Sequence, residues 1–253
     1  MIDRPGGFSV LPIVVKNLLI INGLVFLATI SLQNVLNIDL NAMFGLYYVG
    51  SDMFKPYQFL TYMFMHGSFT HLFFNMFAFW MFGNNIENVW GPKRFIIYYF
   101  VTGLGAAALH QLVMYFEAQS IINQLISIGA TPESISELIA TGKYNPDILA
   151  FVKMDDLLAL HNVYNVPTVG ASGSVFGILL AFGMLFPNAL IYLYFAIPVK
   201  AKWLVIGYGA LELWSGISAT QGDNVAHFAH LGGMLFGFIL IKLWKKKEFN
   251  RWM

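Results

Sequence analysis

The chain of 253 residues has no cysteine and little charge: 11% of its residues are Asp, Glu, Lys or Arg. The missing cysteine excludes disulfides, thiolate metal sites and a cysteine nucleophile. A soluble domain carries about a quarter charged residues, so the shortage of charge argues against one. The net charge of +1 gives no reason to expect a nucleic-acid partner. Repeats and low-complexity tracts are also lacking. What is abundant is apolar surface: 58% of residues are hydrophobic and 17% aromatic. That composition is one of an integral membrane protein.

A span needs about 20 mostly apolar residues. Six stretches qualify, at about 13–32, 69–88, 94–115, 171–186, 201–217 and 226–244. The first is too long for the core of a cleavable signal and is expected to be retained. The apolar piece 189–198 is short and ends at Pro198, so it reads as an interfacial or re-entrant connection rather than a seventh span. Lysine and arginine mark the cytoplasmic side of short loops. With both termini inside, eleven of the fourteen basic residues fall on that side, leaving Lys55, Lys143 and Lys153 outside. A seventh span would carry the "KKKEFNR" tail to the wrong side. The expected fold is therefore an all-α, polytopic membrane domain over 1–253, with six spans and cytoplasmic termini.

The outer loop 116–166 holds six acidic residues against two lysines. Thr131-Pro132 and Asn145-Pro146 are helix-start signals, and Gly142 is a stop. Two short helices lying on the outer surface are expected there, as a structural insertion or as an element of substrate access.

Polar residues inside spans are costly and are candidates for function. His71 and Asn75 lie four apart in "HGSFTHLFFN", after the helix-capping Ser68, with His66 just before. Ser172 opens the fourth span in "GASGS", and His227 and His230 lie three apart at the start of the sixth. Spans two, four and six run in the same direction, so all three sets fall at the outer ends of their helices. Gly173/Gly177 and Gly233/Gly237 form Gly-x-x-x-Gly faces that permit close helix approach. Packing through these faces would make Ser172 and His230 neighbours, and serine needs a base within reach to become a nucleophile. Span four is short, about 24 Å at 1.5 Å per residue, so its outer end is expected below the surface, under water. No acid completes the pair: Asp223 falls in a loop, and Glu212, in span five, has no motif around it. A serine–histidine dyad is expected, with His71, Asn75 and the Ser172 N–H as oxyanion donors. His110 reads as a satisfied polar contact and His161 as solvated. Position 174 is Ser174, so Ser172 is not in a Gly-x-Ser-x-Gly elbow. Without alternating strands and helices an α/β-hydrolase is not expected.

These residues resemble the rhomboid family of intramembrane serine proteases. The resemblance rests on "HGSFTHLFFN", "GASG" and "AHLGGMLFG", in that order, and covers about residues 10–245. It implies a compact six-helix bundle that cleaves a transmembrane segment of a membrane-anchored substrate near its outer end, within the lipid bilayer. It also implies no metal or other cofactor. Carried over, Ser172 is the nucleophile, His230 the base, and His71 and Asn75 the oxyanion donors. The family's histidine is followed by glycine at the third and seventh positions, which selects His230 over His227. His227 is then a polar or packing neighbour. Gly170, Gly173, Gly177, Gly233, Gly237 and Phe176 pack near the site, with Phe176 against the histidine. Glu87 and Gly91 resemble a structural helix end. Tyr57 and Gln58 stand where the family often has Trp-Arg. A bacterial plasma membrane is the expected location. The alternatives are an inactive rhomboid-like protein that binds membrane segments, and a metal or proton pathway on His66, His71, His227 and His230.

Overall fold

The structure, a computed structural model, describes residues 9–193, 196–218 and 226–250. Arg4, Asp223 and Arg251 lie outside the described residues. The chain is predominantly helical. Its elements are α1 (Ile13–Leu36), α2 (Leu40–Phe44), α3 (Gln58–Thr61), α4 (Phe69–Ser127), α5 (Pro132–Thr141) and α6 (Met154–Asn165). There follow α7 (Ser172–Leu185), β1 (Leu190–Leu193), β2 (Ile197–Lys200), α8 (Ala201–Ile217) and α9 (His227–Asn250). By length and composition α1, α4 and the stretch His227–Lys245 of α9 are apolar enough to cross a membrane, whereas α7 is apolar but shorter, with 14 residues.

The range α4 consists of two helical arms that meet at Gly91, where φ is 74° and ψ 165°. A residue with a side chain rarely adopts that φ, and Pro92 then starts the second arm without needing its missing N–H. The stretches expected as the second and third spans are therefore the two arms of α4. Glu87, one turn before the bend, accepts hydrogen bonds from the N–H groups of Val14 and Val15 at 3.0 and 2.8 Å. These are among the first amides of α1, which have no partner within their own helix. The helix end read from Glu87 and Gly91 is thus also the cap of another helix.

Helices α4, α7 and α9 form the centre and α1 packs on the side of α4. Around them Val15, Phe79, Ile86, Phe95, Tyr98 and Ile178 are fully buried. Large apolar side chains such as Leu24, Phe74, Trp80, Trp203, Trp214 and Phe238 are exposed. A soluble monomer does not expose so much apolar surface, and a bilayer covers it.

Two expectations about the insertion change. The second arm of α4 does not stop near 115 but continues to Ser127, so the insertion begins as helix. Thr131 caps α5 by accepting from Ser134, and Gly142 ends it in the left-handed conformation. The second expected helix is split: Asn145 caps a 3-10 turn at Pro146–Ala150, and α6 starts afresh at Met154. The stretch 189–198, expected as a connection and not a span, holds in its described part strand β1 and the start of β2, which pair antiparallel with Ile191 opposite Val199.

Candidate active site

Three segments converge at one end of the central helices. The first is the start of α4. The Ser68 hydroxyl accepts from the His71 amide at 3.1 Å, so that helix begins where its sequence signals. It presents His71 and Asn75 on one face. The second is the turn 168–171 leading into α7. Thr168 bonds to Leu46 in both directions, at 2.8 and 2.9 Å, and the Gly170 N–H donates to the Tyr62 carbonyl at 2.9 Å. Gly170 has φ 126°. A methyl group there would lie 2.8 Å from His71 Nε2 and 3.7 Å from Asn75 Nδ2. The two polar side chains therefore face the backbone just before Ser172. Asn75 is buried, 7% exposed, and its Nδ2 has no hydrogen-bond partner.

Ser172 is the first residue of α7 and is half-buried. Its amide is one of the helix's free N-terminal donors. Ser174 is used differently: its hydroxyl is buried and donates to the Tyr99 carbonyl at 2.7 Å. Ser172, two residues after Gly170, is the other serine at this helix start.

The third segment is the start of α9. A Cβ on Gly233 would collide with the Gly173 carbonyl, and one on Gly173 would meet Ala106 and come within 3.6 Å of the Ala229 carbonyl. Helices α7 and α9 thus touch through Gly173 and Gly233, as their spacing predicts. The lower pair differs from that expectation. Gly177 faces Thr102, and Gly237 faces Tyr98 and Thr102, so these glycines admit α4 rather than each other. The Tyr98 hydroxyl donates to the Gly177 carbonyl at 2.8 Å.

His230 is 8% exposed. The Phe176 ring lies flat on its imidazole, with centroids 4.2 Å apart and planes at 8°. Phe176 also meets Tyr208 of α8 edge-on at 6.2 Å.

A dyad without an acid is the expectation from sequence; the structure places Glu212 of α8 there. Glu212 Oε2 lies 2.9 Å from His230 Nδ1 and 2.7 Å from His227 Nδ1. An ionised carboxylate only accepts hydrogen bonds, so both Nδ1 atoms are donors. In a neutral His230 ring this leaves the proton on Nδ1 and the lone pair on Nε2. The signal for Glu212 was its charge: a lone carboxylate inside an apolar helix is a functional candidate by default. What hid it was the absence of any local motif, since its partners are 15 and 18 residues away. Glu212, His227 and His230 are also a group whose ligand atoms all lie within 4.8 Å of one another.

The remaining histidines separate. His110 Nε2 bonds the Thr168 hydroxyl at 2.9 Å, but its buried Nδ1 has no partner, so the expected satisfied contact is only half made. His161 is not solvated: its Nδ1 bonds the Ile139 carbonyl at 2.9 Å and ties α6 to α5. His66 is buried, with its ring edge-on to His71 at 5.1 Å. Gln58, 1% exposed, organises the first loop by accepting from Tyr47 and Lys55 and donating to Met53.

A family model described as the Rhomboid domain matches residues 53–141 and 148–247. The chain is similar to "RHOMBOID-like protein 12, mitochondrial" of Arabidopsis thaliana, 27% identical over 76% of this chain and 48% of that one. It is also similar to "Rhomboid protein 1, mitochondrial" of Saccharomyces cerevisiae, 26% identical over 74% of this chain and 43% of that one. The chain spans just under half the length of these relatives. Both names are mitochondrial, so the expectation of a bacterial plasma membrane draws no support from them. With most of its length matched by the family model, and with the three motifs that carry the resemblance brought to one place, the chain belongs to the rhomboid family.

Proposed function

We propose that this protein is an intramembrane serine endopeptidase that hydrolyses a peptide bond in or near one end of a transmembrane segment of another protein. The observations that carry the reading are the approach of His71 and Asn75 to Gly170 and the Gly173–Gly233 contact, which support a site where the segments bearing Ser172 and His230 meet. Ser172 Oγ attacks the scissile carbonyl, and His230 Nε2 takes its proton. The imidazolium is stabilised by Glu212 at Nδ1 and held in plane by Phe176. The developing oxyanion accepts from the Ser172 amide, His71 Nε2–H and Asn75 Nδ2–H. The unpaired Asn75 donor supports this role, because a buried donor left without a partner costs about 1–3 kcal/mol and the oxyanion would supply one. One such donor is typically worth about two to three orders of magnitude in rate. His230 then protonates the leaving amine, and water hydrolyses the acyl-enzyme by the same route in reverse.

The domain is read as one unit of six spans, the two arms of α4 supplying two of them. Charge bias supports an orientation with both termini in the cytoplasm and the Ser172 end at the opposite side. Family membership supports protease-like function, and the retained serine and histidine favour an active enzyme over an inactive relative. Labelling of the purified chain with a fluorophosphonate tests this without knowledge of the substrate. Modification at Ser172 that disappears in His230→Ala is the expected result. Labelling that persists in Ser172→Ala would sink the mechanism.

A further inference from the structure

Catalysis on the proposed path uses one histidine as its base, yet two stand on the same carboxylate oxygen. His227, on the first turn of α9, makes the shorter bond to Glu212, 2.7 Å against 2.9 Å. We propose that Glu212, His227 and His230 form a binding site for a divalent transition-metal ion of the zinc class, and that an ion there switches off the Ser172–His230 pair. This rests on the protease reading of Ser172 and His230.

The donor set fits such an ion. Two imidazole nitrogens and one carboxylate oxygen are the ligands that zinc takes, with a fourth position left for water. Tetrahedral coordination at about 2.0–2.1 Å sets ligand atoms about 3.3 Å apart. The three atoms already lie within 4.8 Å of one another, and two of the separations need open by only about half an ångström. The side chains are 10–13% exposed, so they are largely desolvated yet open to an incoming ion. The ligands come from two helices, α8 and α9, and the ion would replace the two hydrogen bonds that now join them there.

Inhibition follows from the two ring nitrogens. With Glu212 accepting at Nδ1, the neutral His230 ring carries its proton there, and Nε2 is free to take the Ser172 proton. An ion occupies the Nδ1 lone pair, so the proton of the neutral ring must sit on Nε2. No proton is lost overall; it moves from one nitrogen to the other by exchange with water. Nε2 is then a donor and no longer a base. The same shift in His227 has no consequence for catalysis.

The test uses the full chain in detergent with any affinity tag removed, and zinc as the probe. Equilibrium dialysis should find one zinc ion per chain in wild type and in Ser172→Ala. Fluorophosphonate labelling of wild type should fall on zinc addition and recover with a chelator. His227→Gln keeps an amide donor for Glu212 but is a poor ligand. It should label at the wild-type rate without zinc and bind zinc about tenfold or more weakly. Absence of stoichiometric binding to wild type would overturn the proposal. So would inhibition of His227→Gln at the same zinc concentration as wild type, or binding that leaves labelling intact. A chain that binds zinc but never labels at Ser172 would overturn the protease reading and uphold the site.

Discussion

At the residue scale the deciding feature is which atom each polar side chain is committed to. Ser172 and Ser174 are two apart and look alike in sequence, but Ser174 donates to the Tyr99 carbonyl and is already part of the packing. Ser174→Ala is therefore expected to cost about 1 kcal/mol of stability, the net worth of a hydrogen bond, while Ser172 still labels. Loss of labelling with an unchanged melting temperature would contradict that division. Glu212 is argued to act through His230, and its substitution separates position from bulk. Gln at 212 has nearly the same shape but no charge, and its amide can donate to Nδ1 and favour the wrong tautomer. A comparable change in a serine–histidine–aspartate triad costs about four orders of magnitude in kcat. Glu212→Gln should lower kcat by about 10²–10⁴ with KM little altered, measured on a transmembrane substrate. An effect on KM alone would show that the carboxylate only holds α8 in place.

At the element scale the site exists because α7 and α9 approach through backbone rather than side chains. Apolar side chains gain little by leaving lipid for each other, so small residues and close van der Waals contact hold such helices together. Gly233→Ala puts a methyl group where the Gly173 carbonyl is. Backbone cannot rotate away as a flexible side chain does, so the helices must separate and His230 moves from Ser172. Labelling should be lost even where the protein still purifies as a folded chain, as judged by circular dichroism and gel filtration. Gly207, around which a Cβ meets nothing within 4 Å, is the control: Gly207→Ala should label normally. Equal loss in both variants would mean that general helix disturbance, not this contact, controls the site.

At the scale of the whole molecule, much was legible in the sequence. Hydropathy located the long helices, because a bilayer demands continuous apolar length. Ser68, Thr131 and Gly142 announced helix ends, because capping is a local event. The order of the motifs and the direction of the spans gathered His71, Asn75, Ser172 and His230, whose proximity depends on the fold. Partners set by side-chain rotation across elements were not legible. Glu212, His161 and the caps that Glu87 supplies to α1 are all of that kind. The lower glycines were assigned to the wrong neighbour for the same reason: Gly177 and Gly237 announce a close approach but not which helix makes it.

The insertion shows the same limit and supports a last prediction. It carries its own core: Leu138, Leu157 and Leu160 are buried together with Met114, Ala118 and Leu125 of α4 and Tyr48 of the first loop. The core around Ile178 and Phe79 is separate. Ties between the insertion and the site run through the first loop, where the Ser51 hydroxyl donates to the Tyr164 carbonyl at 2.6 Å and Leu46 pairs with Thr168. Leu160→Ala empties a fully buried position and should cost the insertion about 2–5 kcal/mol. Separate cores open separately, so limited proteolysis should cut within 130–160 sooner in this variant, while Ser172 labels at the wild-type rate. Ile178→Ala, in the central core, should reduce labelling. If Leu160→Ala lost labelling in step with its protease sensitivity, the Leu46–Thr168 bridge would be carrying the insertion's order into the Gly170 turn. The insertion would then be part of the site rather than a structure resting beside it.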